Sequence, residues 1–133
     1  MSALQQETGP IATIEEFKAA LLARRDWNGI SPLQLQMLQA QCRAPECTIS
    51  AVQIAEQLKL KSTAAARLQY ATFARAVAEK LGYAPPHWGK GAPSWWFTLS
   101  TGRPAGDDAS TEAPVEWVMR PELVAALRAM KWA

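Results

Sequence analysis

The 133-residue sequence has few of the residues that build metal centres and hydrolytic active sites. It contains one histidine, His87, and two cysteines, Cys42 and Cys47. One histidine cannot supply the paired histidines of a metalloenzyme. The sequence also has no Ser-x-x-Lys, Gly-x-Ser-x-Gly or glycine-rich phosphate-loop motif. These absences favour a protein that is not an enzyme and that uses no cofactor.

Cysteine is too scarce for a scaffold built on disulfides, and this usage is typical of a reducing compartment. Together with His87, the two cysteines would provide three zinc ligands, but a fourth ligand is lacking. We therefore interpret Cys42 and Cys47 as ordinary thiols and predict no metal site.

Long apolar runs are also lacking, since no segment approaches the roughly 18 apolar residues of a membrane span. The first ten residues have neither the basic patch nor the apolar segment of a signal peptide. The composition, 49% hydrophobic and 20% charged, is typical of a soluble globular protein. We expect a cytoplasmic protein with no membrane partner, with a flexible lead-in over residues 1–12 and a single domain over 13–133.

Positive charge is concentrated in one part of the chain, although the net charge is only +2. Residues 59–90 contain six basic side chains and one acidic side chain, a balance of +5, whereas residues 1–58 carry −2 and residues 91–133 carry −1. Such asymmetry indicates a surface for a negatively charged partner.

The basic segment belongs to a stretch, residues 49–82, that predicts a short helix, a tight turn and a longer helix. Thr48 or Ser50 is the expected cap of the first helix, and Ser62 or Thr63 is the expected cap of the second. Gly82 is expected to end the second helix in the left-handed conformation.

Three further helices are predicted from their caps and apolar spacing. One runs from about 14 to 25, with Thr13 as its cap and Glu16 completing a capping box. The next opens with Ser31-Pro32 and runs to about residue 42. The last covers residues 122 to about 131.

Aromatic, β-prone residues at 95–99 and 116–119 predict two strands of an antiparallel hairpin. The Gly- and Pro-containing segment 100–114 is expected to be a mobile loop between them. Trp27, Trp96 and Trp117 are expected in the core. Because side chains alternate along a strand, Trp95 is expected on the face opposite Trp96.

The 49–82 stretch resembles a helix-turn-helix. Ala55 is at the small crossing position, Leu58 and Leu60 bracket the turn, and Ala65 and Leu68 are expected to point inward. Lys59 departs from the pattern, because it occupies the turn position where glycine is usual.

With the hairpin added, residues 31–119 resemble a winged helix-turn-helix domain. The expected fold is thus mainly α with a small β-hairpin (α+β), a tri-helical core and a C-terminal helix. The stretches SPLQLQMLQAQ, LQYATFARAVAEKLG, WWFTLSTG and EWVMRPEL also resemble a small bacterial module that occurs alone or beside nuclease domains of the HNH type. That resemblance implies a DNA-reading or partner-docking accessory whose nuclease chemistry lies elsewhere.

The function expected from these patterns is non-catalytic binding of duplex DNA by the basic helix-turn-helix. The predicted contact residues are Lys59, Lys61, Ser62, Thr63, Arg67, Gln69, Arg75 and Lys90. Lysines and a helix N-terminus suit phosphates, and Arg67 and Gln69 are placed to read bases. The alternative is an adaptor that binds another protein or a second copy of itself through helix 63–82 and through an exposed Trp88 or Trp95.

Overall fold

The computed structural model describes residues 10–27, 29–85, 94–103 and 116–133. Five α-helices, three short strands and two 3-10 turns make up this part of the chain. The helices are α1 (Ile14–Trp27), α2 (Pro32–Arg43), α3 (Ala51–Gln57), α4 (Thr63–Leu81) and α5 (Pro121–Ala129). The strands are β1 (Thr48–Ile49), β2 (Ser100–Arg103) and β3 (Glu116–Met119), and the 3-10 turns are Pro45–Cys47 and Trp95–Thr98. The fold is mainly helical with a small antiparallel sheet.

Local capping explains where most helices begin. Thr13 and Glu16 form a reciprocal capping box at α1. The hydroxyl of Ser31 caps α2 and that of Ser50 caps α3, each within a capping box closed by a glutamine three residues later. Each box satisfies backbone N–H groups that a helix start would otherwise leave free. The predicted starts of these helices are therefore confirmed, and α3 is capped by Ser50 and not by Thr48.

The sheet has the strand order β1-β3-β2, with β3 in the centre. In the hairpin, Ser100 is paired with Met119, and Thr101 with Val118. On the other side β1 is paired with β3, so that Thr48 lies opposite Val118. The sequence did not predict β1, because a two-residue strand has no recognisable periodicity.

The prediction of a strand at 95–99 is wrong. Trp95–Thr98 is a 3-10 turn, and the strand that pairs with β3 begins at Ser100. The first four residues of the predicted mobile loop therefore belong to the sheet, while 104–115 lie outside the described residues. Because Trp95 and Trp96 do not lie on a strand, the expectation that they point to opposite faces is wrong. Both side chains are half-buried.

The core is built around one face of α4. Its completely or almost completely buried residues are Ala66, Tyr70, Phe73, Ala74, Val77 and Ala78. Helix α4 packs against α1, α3 and the turn Trp95–Thr98, and α1 also packs against α5. Leu68, expected to point inward, is 65% exposed, because it lies on the side of α4 away from this face.

In α3 the buried residues are Ala51, Ile54 and Ala55, whereas Val52 is 49% exposed. Ala12, the last residue of the predicted lead-in, is buried in the core, and Ile11 is half-buried beside it. Among the described residues, no helix combines the length and apolar character needed to cross a membrane.

Candidate nucleic-acid interface

The turn between α3 and α4 is held by backbone hydrogen bonds around Lys59. The N–H of Leu60 donates to the carbonyl of Ala55 at 2.9 Å, and the N–H of Lys59 donates to the carbonyl of Glu56 at 3.4 Å. This pair of hydrogen bonds ends a helix when the residue that follows the last helical turn adopts the left-handed conformation. Lys59 does so, with φ of 56°.

Helix α4 ends through the same pattern, but with glycine at the left-handed position. The N–H of Tyr83 donates to the carbonyl of Ala78 at 2.9 Å, and Gly82 has φ of 70°. The chain thus uses glycine at one of the two helix ends and lysine at the other. A left-handed lysine is costly because its Cβ crowds the backbone, by about 1 kcal/mol or more.

The N-terminus of α4 carries the predicted phosphate donors. Ser62 caps the helix by accepting a hydrogen bond from the N–H of Ala65 at 3.1 Å. Its first turn contains no acidic residue, so the positive end of the helix dipole is not neutralised locally. Lys59 and Lys61 are both exposed beside it, and Thr63 is half-buried.

Arg67 is exposed on the second turn of α4, and Gln69 is half-buried. The outward line of the same helix runs through five exposed residues, Ala64, Leu68, Thr72, Arg75 and Glu79. Its first three members are apolar or small. The N-terminal half of the helix therefore presents an apolar line flanked by the Arg67 cation.

Arg75 lies further along α4 than the N-terminus beside Lys59 and Lys61, and its guanidinium interacts with Glu79 and Trp95. Its Nε lies 3.3 Å from Oε1 of Glu79, and its guanidinium lies over the ring of Trp95, 5.4 Å from the centroid. Both interactions compete with a phosphate for the same cation. Lys90, the remaining predicted contact, lies outside the described residues, as do His87 and Trp88.

Arg120 is a structural residue of this region that the sequence analysis missed. It is only 2% exposed. Its Nε and Nη2 donate to the carbonyl of Phe97 at 3.0 and 2.8 Å, and its guanidinium lies 4.4 Å from the centroid of the Phe97 ring. Arg120 thereby ties the start of α5 to the turn that presents Trp95 to Arg75.

A buried polar ring lies beneath the outward face of α4. The Tyr70 hydroxyl donates to Oε1 of Gln41 at 2.8 Å and lies 2.6 Å from Oγ of Ser100, and Nε2 of Gln41 donates to that Oγ at 3.0 Å. Gln41 also donates to the carbonyl of Trp117. Burial raises the pKa of Tyr70 well above its ordinary value, so the phenol stays protonated. The ring fixes α4 against α2 and the hairpin.

Comparison with known proteins identifies no relative. No protein-family model matches the chain, and neither the curated proteins nor the solved structures contain a significant match.

Proposed function

We propose that this protein is a non-catalytic DNA-binding module of the winged helix-turn-helix type. The order of elements from α2 to β3 supports the fold assignment: helix, strand, helix, helix and two hairpin strands. In addition, β1 is paired with the returning strand of the hairpin. In helix-turn-helix proteins, the second helix of the pair enters the major groove with its N-terminal residues against the bases. Helix α4 is the corresponding element here.

One observation carries the proposal: Lys59, Lys61 and Arg67 are all exposed around an N-terminus of α4 that has no acid in its first turn. Lysines at this point and the positive end of the helix provide favourable contacts for phosphate groups. Arg67, one turn further along, is a candidate for bidentate hydrogen bonding to guanine.

The left-handed Lys59 gives this proposal a second support. Glycine would form the same turn with less strain, as Gly82 does at the end of α4. A lysine at this position adds a positive charge at the turn at the expense of stability. Lys131 adopts the same conformation after α5, so the support lies in the position of the Lys59 charge and not in the strain by itself.

The test is a titration of labelled duplex DNA with the protein, followed by fluorescence anisotropy at low and near-physiological salt. Binding is expected to weaken steeply as salt rises, because phosphate contacts release counterions. The Lys61→Glu/Arg67→Glu variant is expected to bind far more weakly. The control, Lys18→Glu/Arg43→Glu, changes net charge equally on exposed or half-buried positions of α1 and α2. If both variants lose binding equally, or if the first binds like wild type, the proposed surface is wrong.

A second candidate function is an adaptor that binds a protein or a second copy of the chain through α4. The observation that favours it is Leu68, which is 65% exposed in the middle of the outward line. An apolar interface responds little to salt, whereas phosphate contacts respond strongly. Sedimentation velocity over a range of protein concentrations is the test. Self-association that disappears in Leu68→Gln would favour this function, and a concentration-independent monomer would exclude the homodimer.

A further inference from the structure

The two cysteines of the chain lie together in the connection that leads into the helix-turn-helix. Cys42 is in the last turn of α2 and buried, and Cys47 ends the 3-10 turn Pro45–Cys47 and is half-buried. Sγ of Cys47 lies 3.6 Å from the carbonyl oxygen of Cys42 and donates to it. The chain therefore folds back within five residues, so that the second thiol lies against the residue that carries the first.

An unusual backbone brings about this reversal. Glu46 and Cys47 both adopt the left-handed conformation, with φ of 57° and 53°. Neither is a glycine, and consecutive residues of this kind are rare outside sites where the surrounding structure imposes them. The N–H of Cys47 donates to the carbonyl of Ala44 at 2.9 Å, which closes the turn.

The surroundings of Cys42 keep its thiol protonated. Its pKa is raised to about 11, chiefly by burial, and the adjacent Cys47 thiol acts in the same direction. Arg128 acts in the opposite direction on Cys42. The buried thiol also contacts Sδ of Met119 at 3.6 Å. Cys42 is thus a protonated thiol, and Cys47 is the other thiol of the sequence.

Cys47 has access to solvent, unlike Cys42. It lines an open cleft of about 900 Å³ between the Pro45–Cys47 turn, β3 and α5, together with Val118, Arg120 and Arg128. A small oxidant is able to reach Cys47 through this cleft, whereas Cys42 is 7% exposed. The two thiols therefore differ in access, and an oxidant that enters the cleft meets Cys47 before Cys42.

We propose that Cys42 and Cys47 form a reversible intramolecular disulfide when the folded protein meets a hydroperoxide. The Cys47 sulfur attacks the peroxide, the O–O bond breaks, and Cys47 becomes a sulfenic acid with release of one water. The Cys42 sulfur then displaces the sulfenic oxygen, which leaves as a second water with the Cys42 thiol proton. Two thiols are oxidised by two electrons in total, and one hydrogen peroxide is reduced to two waters.

The bond would link the end of α2 to the residue before β1, and so would restrain the connection that leads to α3. A disulfide constrains the chain most directly at the loop that it closes. This inference does not depend on the proposed DNA binding, and it concerns a different part of the surface from the N-terminus of α4.

Tryptic mapping tests the proposal directly, because trypsin cleaves after Arg43, between the two cysteines. The full chain is treated with one equivalent of hydrogen peroxide under native conditions, and free thiols are blocked with N-ethylmaleimide at mildly acidic pH. It is then digested without reductant. The expected product is peptide 26–43 linked to peptide 44–59, lighter by two hydrogen atoms than their sum and separated by dithiothreitol. The protein is expected to remain a monomer on a non-reducing gel.

Three results would overturn the proposal. The first is that both cysteines remain fully alkylated after peroxide treatment. The second is that Cys47 is oxidised to the sulfinic acid without a linked peptide. The third is that the linked peptide appears only between two chains, or only when the same treatment is made in urea. The matched variant Cys47→Ser should give no linked peptide, and its mass should be unchanged by the same treatment. If the variant also became lighter by two hydrogen atoms, the oxidation would belong to other residues.

Discussion

The rings of Tyr70 and Trp117 stack with their centroids 4.0 Å apart and their planes inclined by 9°. Tyr70 belongs to α4, and Trp117 to the central strand β3, so this contact joins the proposed recognition helix to the sheet. Both residues are buried, and the Tyr70 hydroxyl closes the ring of hydrogen bonds with Gln41 and Ser100. The orientation of the outward face of α4 thus depends on an aromatic stack and a polar ring beneath it.

Tyr70→Phe is expected to destabilise the protein by about 1–3 kcal/mol, because Oε1 of Gln41 loses its donor in a buried environment. Ser100→Ala should cost less, since the Tyr70 hydroxyl still donates to Gln41, and Gln41 still donates to the Trp117 carbonyl. Urea unfolding of both variants and of the double variant measures the coupling. Additive losses would show that the three side chains do not act as a ring.

Lys59→Gly is expected to raise the free energy of unfolding by about 1 kcal/mol, because glycine adopts the left-handed conformation without strain. Lys61→Gly removes the same charge from the same turn without a left-handed residue, and should lower that free energy. Thermal or urea unfolding measures both. Equal effects on stability would contradict the assignment of strain to Lys59.

The same two variants separate stability from binding. If the proposed function is correct, each should reduce the salt dependence of DNA binding by about one phosphate contact. The more stable Lys59→Gly variant would then bind DNA more weakly than wild type. A salt slope identical to that of wild type in both variants would show that these lysines do not contact phosphates.

Arg120→Met is expected to cost about 2–3 kcal/mol, because the buried carbonyl of Phe97 loses two charge-assisted donors. Arg120→Lys should not restore the loss, since an ammonium group cannot reproduce the planar fork over the Phe97 ring. Denaturant unfolding is the measurement. A change below about 0.5 kcal/mol, the range of ordinary surface substitutions, would contradict a structural role for Arg120.

Stability should fall in the alkaline range because of Cys42. Its pKa is raised from 9.0 to about 11 by burial, so between these values the unfolded chain loses a proton that the folded protein retains. The contribution is complete below pH 9 and is lost as the pH rises through about 11. It amounts to about 3 kcal/mol. Urea unfolding of wild type and Cys42→Ala across this range should show a steeper decline for wild type, and parallel curves would contradict the assignment.

The predictions from sequence succeeded where a few neighbouring residues determine the structure. Thr13, Ser31 and Ser62 cap their helices, and Gly82 ends α4, because the hydrogen bonds of caps span only three to five residues. The strand Glu116–Met119 was also placed correctly, since its alternating burial follows the two-residue period of a half-buried strand.

Predictions from local sequence patterns were wrong where contacts with distant residues determine the conformation of a segment. Trp95–Thr98 has the composition of a strand. It forms a 3-10 turn that packs against α4, and Arg120 donates to its Phe97 carbonyl. The resemblance to a helix-turn-helix predicts that Leu68 points inward, but it is 65% exposed. Small and apolar residues occur on both sides of α4, so spacing alone cannot identify the buried side.

The sequence by itself therefore determined the starts of the capped helices, the end of α4 and the segregation of positive charge into residues 59–90. Each of these depends on residue type and short-range hydrogen bonding alone. The tertiary structure decided which face of α4 is buried, where the hairpin begins and that β1 joins it. It also decided that Arg120 is buried against Phe97 and that Cys47 lies beside Cys42. These features depend on contacts between residues that are distant in sequence, or on backbone conformations that side-chain preferences disfavour, and only the packed chain stabilises them.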